Sequence, residues 1–430
     1  MTNPKLSTNG AIYLPRNEQK LYSWPSEQEG PREENEECNQ SISQLINART
    51  FNYQRAKIVT IRIQNRATDS APEDQNSSRQ TETIEQNQDH PLVSIIVPNY
   101  NHANYLKERI ESILAQDYEN FEIIILDDES PDHSKNIIES YRGTPQISHI
   151  IYNTKNSGST FRQWEKGVNL AKGDYLWIAE SDDTASPNLL KRLVTELQRS
   201  PETVLAYCQS NRMNARGAIT GSWLEHTEKL APGVFSQSFT LDGEIFSERY
   251  LIHTNAIPNA SAVLFRKQAL NQIGGAREID AYAGCNGDWL LWLKLSTAGK
   301  ISFIAEPLNN FRYHENSVIA KVAARKASAN SRFFSYKHEL KLRKRYQEFL
   351  SDKRIPPKKF HKVNIEKIAE IIERKSLLRL KSGDYKRATA LFMTALPLSP
   401  RKLRLTFRFI RKMIKAKILN RPSKNFSPPL

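Results

Sequence analysis

Residues 92–98 (LVSIIVP) and 121–126 (FEIIIL) decide the fold. Both are near-continuous runs of apolar, mostly β-branched residues, the texture of strands covered on both faces; a half-exposed strand alternates instead. Between them, residues 105–115 carry the spacing of an amphipathic helix, so the three segments read as a β-α-β unit. The pattern continues outward. Residues 149–152, 175–179 and 204–207 read as strands, and 161–171 and 187–199 as helices. An α/β domain with a mainly parallel central sheet follows.

Composition sets the limits around this domain. The 430 residues are 39% hydrophobic and 25% charged, which excludes a fibrous or wholly disordered chain. No window reaches the roughly 18 to 20 uncharged apolar residues of a spanning helix, and residues 1–20 lack the apolar centre of a secretory signal. Cys38, Cys208 and Cys285 are odd in number and far apart, which suits neither a disulfide framework nor a CxxC zinc site. A reducing, cytoplasmic setting is expected. The net charge of +15 is unevenly placed: residues 331–430 hold 28 Lys+Arg and 7 Asp+Glu, leaving 34 Lys+Arg against 40 Asp+Glu before them. Three regions result. Residues 1–90 are polar, with only Ile84 as a large apolar residue in 67–90, and are expected to be mostly disordered, residues 57–63 (KIVTIRI) alternating like one short strand. Residues 91–320 form the α/β domain, in which 210–260 shows no sustained period. Residues 321–430 form a basic helical C-terminal region.

In open α/β sheets, ligands bind at the carboxyl ends of strands, which gives the acids there priority. Asp127 and Asp128 directly follow FEIIIL, and Glu180, Ser181, Asp182 and Asp183 follow YLWIA. Carboxylates converging on one sheet edge repel unless a cation or donors sit among them, and a hard divalent metal such as Mg²⁺ or Mn²⁺, which also suits phosphate, is the economical answer. The plain alternative is helix capping, since Asp132 and Asp183 precede helical segments.

These residues resemble inverting glycosyltransferases of family 2 with the GT-A fold, the nucleotide-diphospho-sugar transferase type. Four elements stand in that family's order: Pro98-Asn99-Tyr100-Asn101, Asp127-Asp128-Glu129-Ser130, Asn156-Ser157-Gly158 and Glu180-Ser181-Asp182-Asp183. The resemblance spans about residues 93–317. It implies that Pro98, Asn99 and Tyr100 line a nucleotide pocket, that Asp128 accepts from the base, and that Asn156 and Arg162 contact the nucleotide. It places Asp182 nearer the ribose and makes Asp183 the direct metal ligand, with His314 of RYHENS approaching metal or phosphate. Asp288, opening GDWLLW where relatives often carry a Glu-Asp pair, becomes the base, with Gly287 in place of the Glu. Trp289 and Trp292, spaced by three beside leucines, read as core. The implied donor is a nucleotide sugar, UDP-linked by preference because a uracil imide N–H matches an acceptor such as Asp128. The implied acceptor is a glycan or lipid-linked hydroxyl in cell-surface polysaccharide assembly.

The tail carries a further motif. The stretch from Arg401 to Asn420 has eight Lys+Arg and no acid; as a helix it aligns Leu403, Phe407, Ile410 and Ile414 beside Arg404, Arg408, Arg411 and Lys415. That pattern fits an anionic membrane surface, giving peripheral attachment to the inner face of the cell membrane, or else a packed helix with a solvated basic face. Residues 383–400 look like the second half of a tetratricopeptide repeat, read as one helical hairpin. Without interleaved base-stacking aromatics, a nucleic-acid partner is not expected. Two other functions stay open: an α/β nucleotidyltransferase acting on a sugar phosphate, against which stands the missing Gly-rich basic loop after the first strand, and a catalytically inactive membrane-associated adaptor.

Overall fold

The computed structural model describes residues 90–279, 286–315, 317, 320, 331–353, 359–398 and 402–419. The expected strand at 57–63, the rest of the polar region through 89, Cys38 and Cys285 lie outside the described residues. β1 (Val93–Asn99), α1 (Ala103–Leu114) and β2 (Phe121–Asp127) make the first parallel unit. After α2 (Ser134–Ser140), β3 (Ile147–Tyr152) joins β2; after α3 (Thr160–Leu170), β4 (Tyr175–Ile178) joins β1 on its other side. Both faces are covered, as the apolar runs require. Val93, Ile95, Val97 and Trp177 belong to one core with α1 and α4 (Leu189–Gln198), whereas Ile96, Leu176 and Ile178 belong to the opposite core with α3.

The sheet has ten strands, eight of them in the order β3-β2-β1-β4-β9-β6-β10-β5, where β5 is Thr184–Ala185, β6 Thr203–Asn214, β9 Val263–Arg266 and β10 Lys300–Tyr313, while β7 (Ile219–Ser222) pairs with β6 and β8 (Phe239–Asp242) with β10. β9 runs antiparallel to both neighbours, β4 and β6, and β10 runs parallel to β6. β1, β2, β3, β4, β6 and β10 therefore share one direction, and the sheet is mixed, with a parallel half at its N-terminal side.

The apolar run predicts a strand over 204–207 alone, whereas β6 runs on to Asn214 and lies beside β10, which extends from Lys300 to Tyr313. Their second halves are polar and pair with each other, reinforced by side-chain bonds from Asn309 Nδ2 to Ser210 Oγ (3.1 Å) and Asn211 Nδ2 to Asn310 Oδ1 (3.0 Å). Hydrophobic periodicity does not register amide pairing. The register slips around Pro307, which has no N–H to give a ladder. Within 210–260 stand β7 (Ile219–Ser222), α5 (Leu224–Glu228), β8 (Phe239–Asp242) and α6 (Gly243–Phe246), short pieces held by a ring cluster of Phe235, Phe239, Phe246, Tyr250 and Phe303. α7 (Lys267–Ile273) and α8 (Gly287–Leu295) follow β9; Trp289 and Trp292 of α8 are buried.

The C-terminal region consists of α9 (Ser331–Asp352), α10 (Lys359–Lys381), α11 (Tyr385–Ala395) and α12 (Lys402–Leu419). α9 and α10 extend the core of the α/β domain: Leu342, Tyr346, Phe349 and Phe360 join the same apolar cluster as α8. Arg343, fully buried, bonds Glu339 at 2.7 Å and the Ile252 carbonyl at 3.0 Å, and its guanidinium lies 5.4 Å from the Trp289 ring. α10 and α11 form the expected hairpin, turned at Gly383 (φ +80°) with Asp384 accepting from the Arg387 N–H and Ala388, Phe392 and Ala395 buried. α12 packs on a different stripe from the expected one. Leu405 and Phe409 face inward, Phe409 stacked on Phe392 at 4.1 Å, while Ile410 and Ile414 are 42% and 52% exposed. No described helix is long and apolar enough to cross a membrane.

Candidate active site

The carboxyl ends of β1, β2 and β4 converge, and the backbone there is bent to fit. Among the described residues only Asn101 (φ +58°) and Glu129 (φ +61°) are non-glycine residues in the left-handed region, each just beyond one of these strands. Asn99 is buried, donating to Asp127 Oδ2 (2.7 Å) and Ser130 Oγ (3.1 Å), so it braces the two strand ends from beneath. Tyr100 is 47% exposed and free to cover a ligand. Asp128 is buried at the centre of a polar pocket. Its Oδ1 accepts from Asn153 (2.6 Å), the Ser157 N–H (2.9 Å) and Gln163 (2.9 Å), and its Oδ2 from the Ser157 hydroxyl (2.7 Å). Oδ2 keeps one lone pair for a further donor. Asn156 shapes the same pocket, bonding the Asp128 carbonyl (2.9 Å) and, through its N–H, Glu129 (2.6 Å). Arg162 is exposed and reaches the Ser157 carbonyl (3.2 Å).

Beside this pocket stands the acidic turn after β4. The ligand atoms of His102, Asp182 and His314 all lie within 4.8 Å of one another, a geometry that fits one cation. His314 Nε2 is 3.0 Å from Asp182 Oδ2, and His102 Nδ1 is 2.8 Å from Ser181 Oγ, which orients its ring. Two imidazoles and a carboxylate suit a divalent transition ion such as Mn²⁺ better than Mg²⁺, which prefers oxygen. Of the two acids Asp182 and Asp183, Asp182 is the one that stands in this cluster. Asp183 turns inward, accepting from the Arg312 N–H (2.9 Å) and from Ser261. His102, which is not singled out from sequence, follows β1 by three residues and occupies the N-cap position of α1 without a side-chain cap bond.

Charge in this turn is tightly balanced. Burial, then repulsion from Asp182, pushes Glu180 up to about 8 although Trp164 donates to it at 2.8 Å. The same causes raise Asp183. Burial would raise Asp182 too, but the bond to His314 and the charges of His102 and His314 outweigh it and hold that carboxyl below its ordinary value. Arg109, wholly buried, supplies the inner countercharge: its guanidinium lies 4.8 Å from the Trp177 ring with no hydrogen-bond partner among the described residues. Burial lowers it to about 10 against the pull of Asp183, Asp182 and Glu180, so it stays charged at neutral pH. Arg312, also buried, ties the turn to α1: it donates to the Asp182 carbonyl (2.7 Å), pairs with Glu108 (2.5 Å) and covers the Tyr105 ring (4.8 Å).

Asp288 sits in the first turn of α8. Burial pushes its carboxyl up to about 6, partly offset by the Trp289 N–H and by Asn255, whose Nδ2 donates to it at 2.9 Å. The loop that carries Asn255 also carries Ser261, which accepts from the Glu180 N–H at 3.2 Å. One loop therefore touches the base candidate and the acidic turn. Neither Asn255 nor Ser261 was singled out from sequence, because a lone Asn or Ser in an aperiodic stretch carries no signal.

The sequence model of glycosyl transferase family 2 matches residues 94–274. An uncharacterized glycosyltransferase of Rickettsia prowazekii is 31% identical over 238 residues, covering 54% of this chain and 67% of its own. The putative teichuronic acid biosynthesis glycosyltransferase TuaG of Bacillus subtilis is 34% identical over 111 residues, 26% of this chain and 44% of its own. Among solved structures, S. aureus TarS 1-349 in complex with UDP-GlcNAc superimposes with a TM-score of 0.52 at 17% identity, over 75% of this chain and 88% of that one.

Gly287 has a steric cause. A Cβ there would lie 2.7 Å from the Phe161 ring, which packs edge-on to Trp164, the donor to Glu180. Gly287→Ala is expected to cost about 1–3 kcal/mol in urea unfolding, and less than about 1 kcal/mol in a Phe161→Leu background. Equal costs in both backgrounds would reject this contact as the reason for the glycine.

Proposed function

Since the chain belongs to glycosyl transferase family 2, we propose that it moves a sugar from a nucleoside-diphosphate sugar to an acceptor hydroxyl with inversion at the anomeric carbon, in cell-surface polysaccharide assembly. The observation that carries this reading is the pairing of a strand-end pocket at Asp128 with a His102–Asp182–His314 cluster beside it and a separate raised carboxyl at Asp288. The free lone pair on Asp128 Oδ2 supports a uracil donor, whose imide N–H it would accept. His102, Asp182 and His314 would hold a divalent cation, which would supply charge neutralisation for a diphosphate leaving group. Asp288 takes the proton of the acceptor hydroxyl as its oxygen attacks the anomeric carbon, and the bond to the nucleoside diphosphate breaks with its electron pair leaving on the phosphate oxygen. No covalent intermediate is needed. A value near 6 leaves Asp288 ionised at neutral pH yet basic enough to accept a proton. The surface-polysaccharide role takes support from TuaG, whose name gives that role to the Bacillus protein.

The same proposal attaches the enzyme to an anionic membrane surface through α12. Its helix holds seven Lys+Arg and no acid. Its second apolar stripe, Ile410 and Ile414, is exposed beside Arg408 and Arg411.

Three outcomes are expected. Calorimetry with UDP, GDP, TDP and CDP should show one nucleotide binding in the presence of Mn²⁺, with binding lost in Asp182→Ala; no binding of any nucleotide to folded wild type would end the glycosyltransferase reading. The kcat/KM profile should rise about tenfold per pH unit to about pH 6 and then level. Asn255→Ala removes a donor that favours the charged carboxylate, so its acidic limb should move to higher pH; an unmoved limb would remove Asp288 as the titrating base. Wild type should sediment with phosphatidylglycerol-containing vesicles and not with phosphatidylcholine alone, Arg411→Gln weakening this about fivefold; equal binding to both vesicles would refute the anionic surface.

A further inference from the structure

Asn259 lies in the loop that joins the two halves of the site, four residues after Asn255, which bonds Asp288, and two before Ser261, which bonds the acidic turn. Its side chain is only 2% exposed, and among the described residues neither its Oδ1 nor its Nδ2 has a hydrogen-bond partner. The hydroxyl of Tyr207, likewise buried, has none either. Both residues line one small cavity, together with Gln209, Ser210 and Thr227, just before β9 begins, where β6 beyond Tyr207 has no β9 partner. A buried amide without partners forfeits the hydration of a donor and an acceptor, a cost that native structures offset with water or ligand. Burial keeps the Tyr207 phenol protonated, so the pair together offers donors and acceptors. The cavity has about 10 Å³ open to a water-sized sphere, room for a single oxygen. Most of its remaining wall is Ala256, Ile257, Pro258 and Phe303, which hydrogen-bond through no side chain. The cavity therefore has room for one polar atom beside two buried groups that lack hydrogen-bond partners among the described residues.

We propose that Asn259 and Tyr207 form a sugar-hydroxyl subsite that reads one hydroxyl of a bound pyranose, resting on the glycosyl-transfer reading of the site. An amide that both donates and accepts, with a phenol beside it, discriminates a hydroxyl from a hydrogen or an epimer because the mismatched sugar leaves the buried groups unpaired. The hydroxyl belongs either to the transferred sugar or to the accepting one. Both offer the same chemistry, and experiment separates them.

The probes are the nucleotide that binds in the calorimetric screen, its glucosyl, galactosyl and N-acetylglucosaminyl derivatives, and methyl glycosides as acceptors, all with Mn²⁺. The variants are Asn259→Leu, which keeps the volume and removes the polar atoms, and Tyr207→Phe. Both should bind the bare nucleotide within about twofold of wild type, and Asn259→Leu should not lower Tm, since it removes buried unpaired groups rather than a contact. If the donor hydroxyl is read, the variants lose about tenfold or more in affinity for the preferred nucleotide sugar, and their preference among the three sugars flattens. If the acceptor hydroxyl is read, nucleotide-sugar binding and donor hydrolysis are unchanged while KM for the methyl glycoside rises about tenfold. Variants that match wild type in donor affinity, sugar preference and acceptor KM overturn the proposal and leave the cavity a trapped-water site only, with the glycosyltransferase reading intact. A Tm fall in Asn259→Leu with lost bare-nucleotide binding overturns it as well, by making Asn259 a structural residue. Failure of wild type to bind any nucleotide overturns both readings together.

Discussion

Three carboxyl groups, Glu180, Asp182 and Asp183, stand on one turn at the end of β4, and their mutual repulsion is the constraint to which the surrounding structure answers. Left alone in a buried setting they would bind protons, as the raised values of Glu180 and Asp183 record. Each is answered by a different element. Arg109 comes from α1, Trp164 from α3, His314 from the end of β10 and Ser261 from the loop before β9. The turn is the point where elements distant in sequence are forced to meet. Arg109 is the costliest answer, since it is charged, buried and held by a ring instead of by hydrogen bonds. Such an arrangement is tolerable because the carboxylates it faces stay close and fixed, and it leaves the outer side of the turn, Asp182 with two imidazoles, open to a mobile cation.

The parallel half of the sheet was legible because its strands are apolar on both faces and its helices amphipathic. α1, β2, β3, α3, β4 and α4 all fall within about two residues of the segments read from sequence. The polar halves of β6 and β10 were not legible, since Asn309, Asn310, Ser210 and Asn211 secure them by side-chain amide and hydroxyl bonds that leave no periodic trace. The same division runs through the site. Asp128, Asp182, Asp183 and Asp288 announced themselves by position at strand or helix ends. His102, Asn255 and Ser261 come to the site through tertiary contacts alone, and nothing local distinguishes them. The different surroundings of Asp182 and Asp183 have the same origin: adjacent residues point to opposite sides of a chain leaving a strand, and the side that faces His314 is fixed by β10, more than a hundred residues away.

The helix that carries Asp288 is supported from two directions. On one side Gly287 lets Phe161 approach, and Phe161 leans on Trp164, which bonds Glu180. On the other, Trp289 donates to the Leu251 carbonyl and lies under Arg343, while Lys294 lies 5.5 Å from the Phe349 ring, both from α9. The first support runs to the acidic turn and the second to the C-terminal helices. An acid whose value depends on burial needs walls that do not move, because a looser wall admits water and returns the carboxyl toward its ordinary value. The basic region therefore walls α8 through α9 and α10, and its exposed large apolar side chains among the described residues, Met393, Ile410 and Ile414, lie on α11 and α12. In the proposed surface-bound form, α9 and α10 would connect the surface held by α12 to the walls around Asp288, a physical link between where the chain sits and how it reacts.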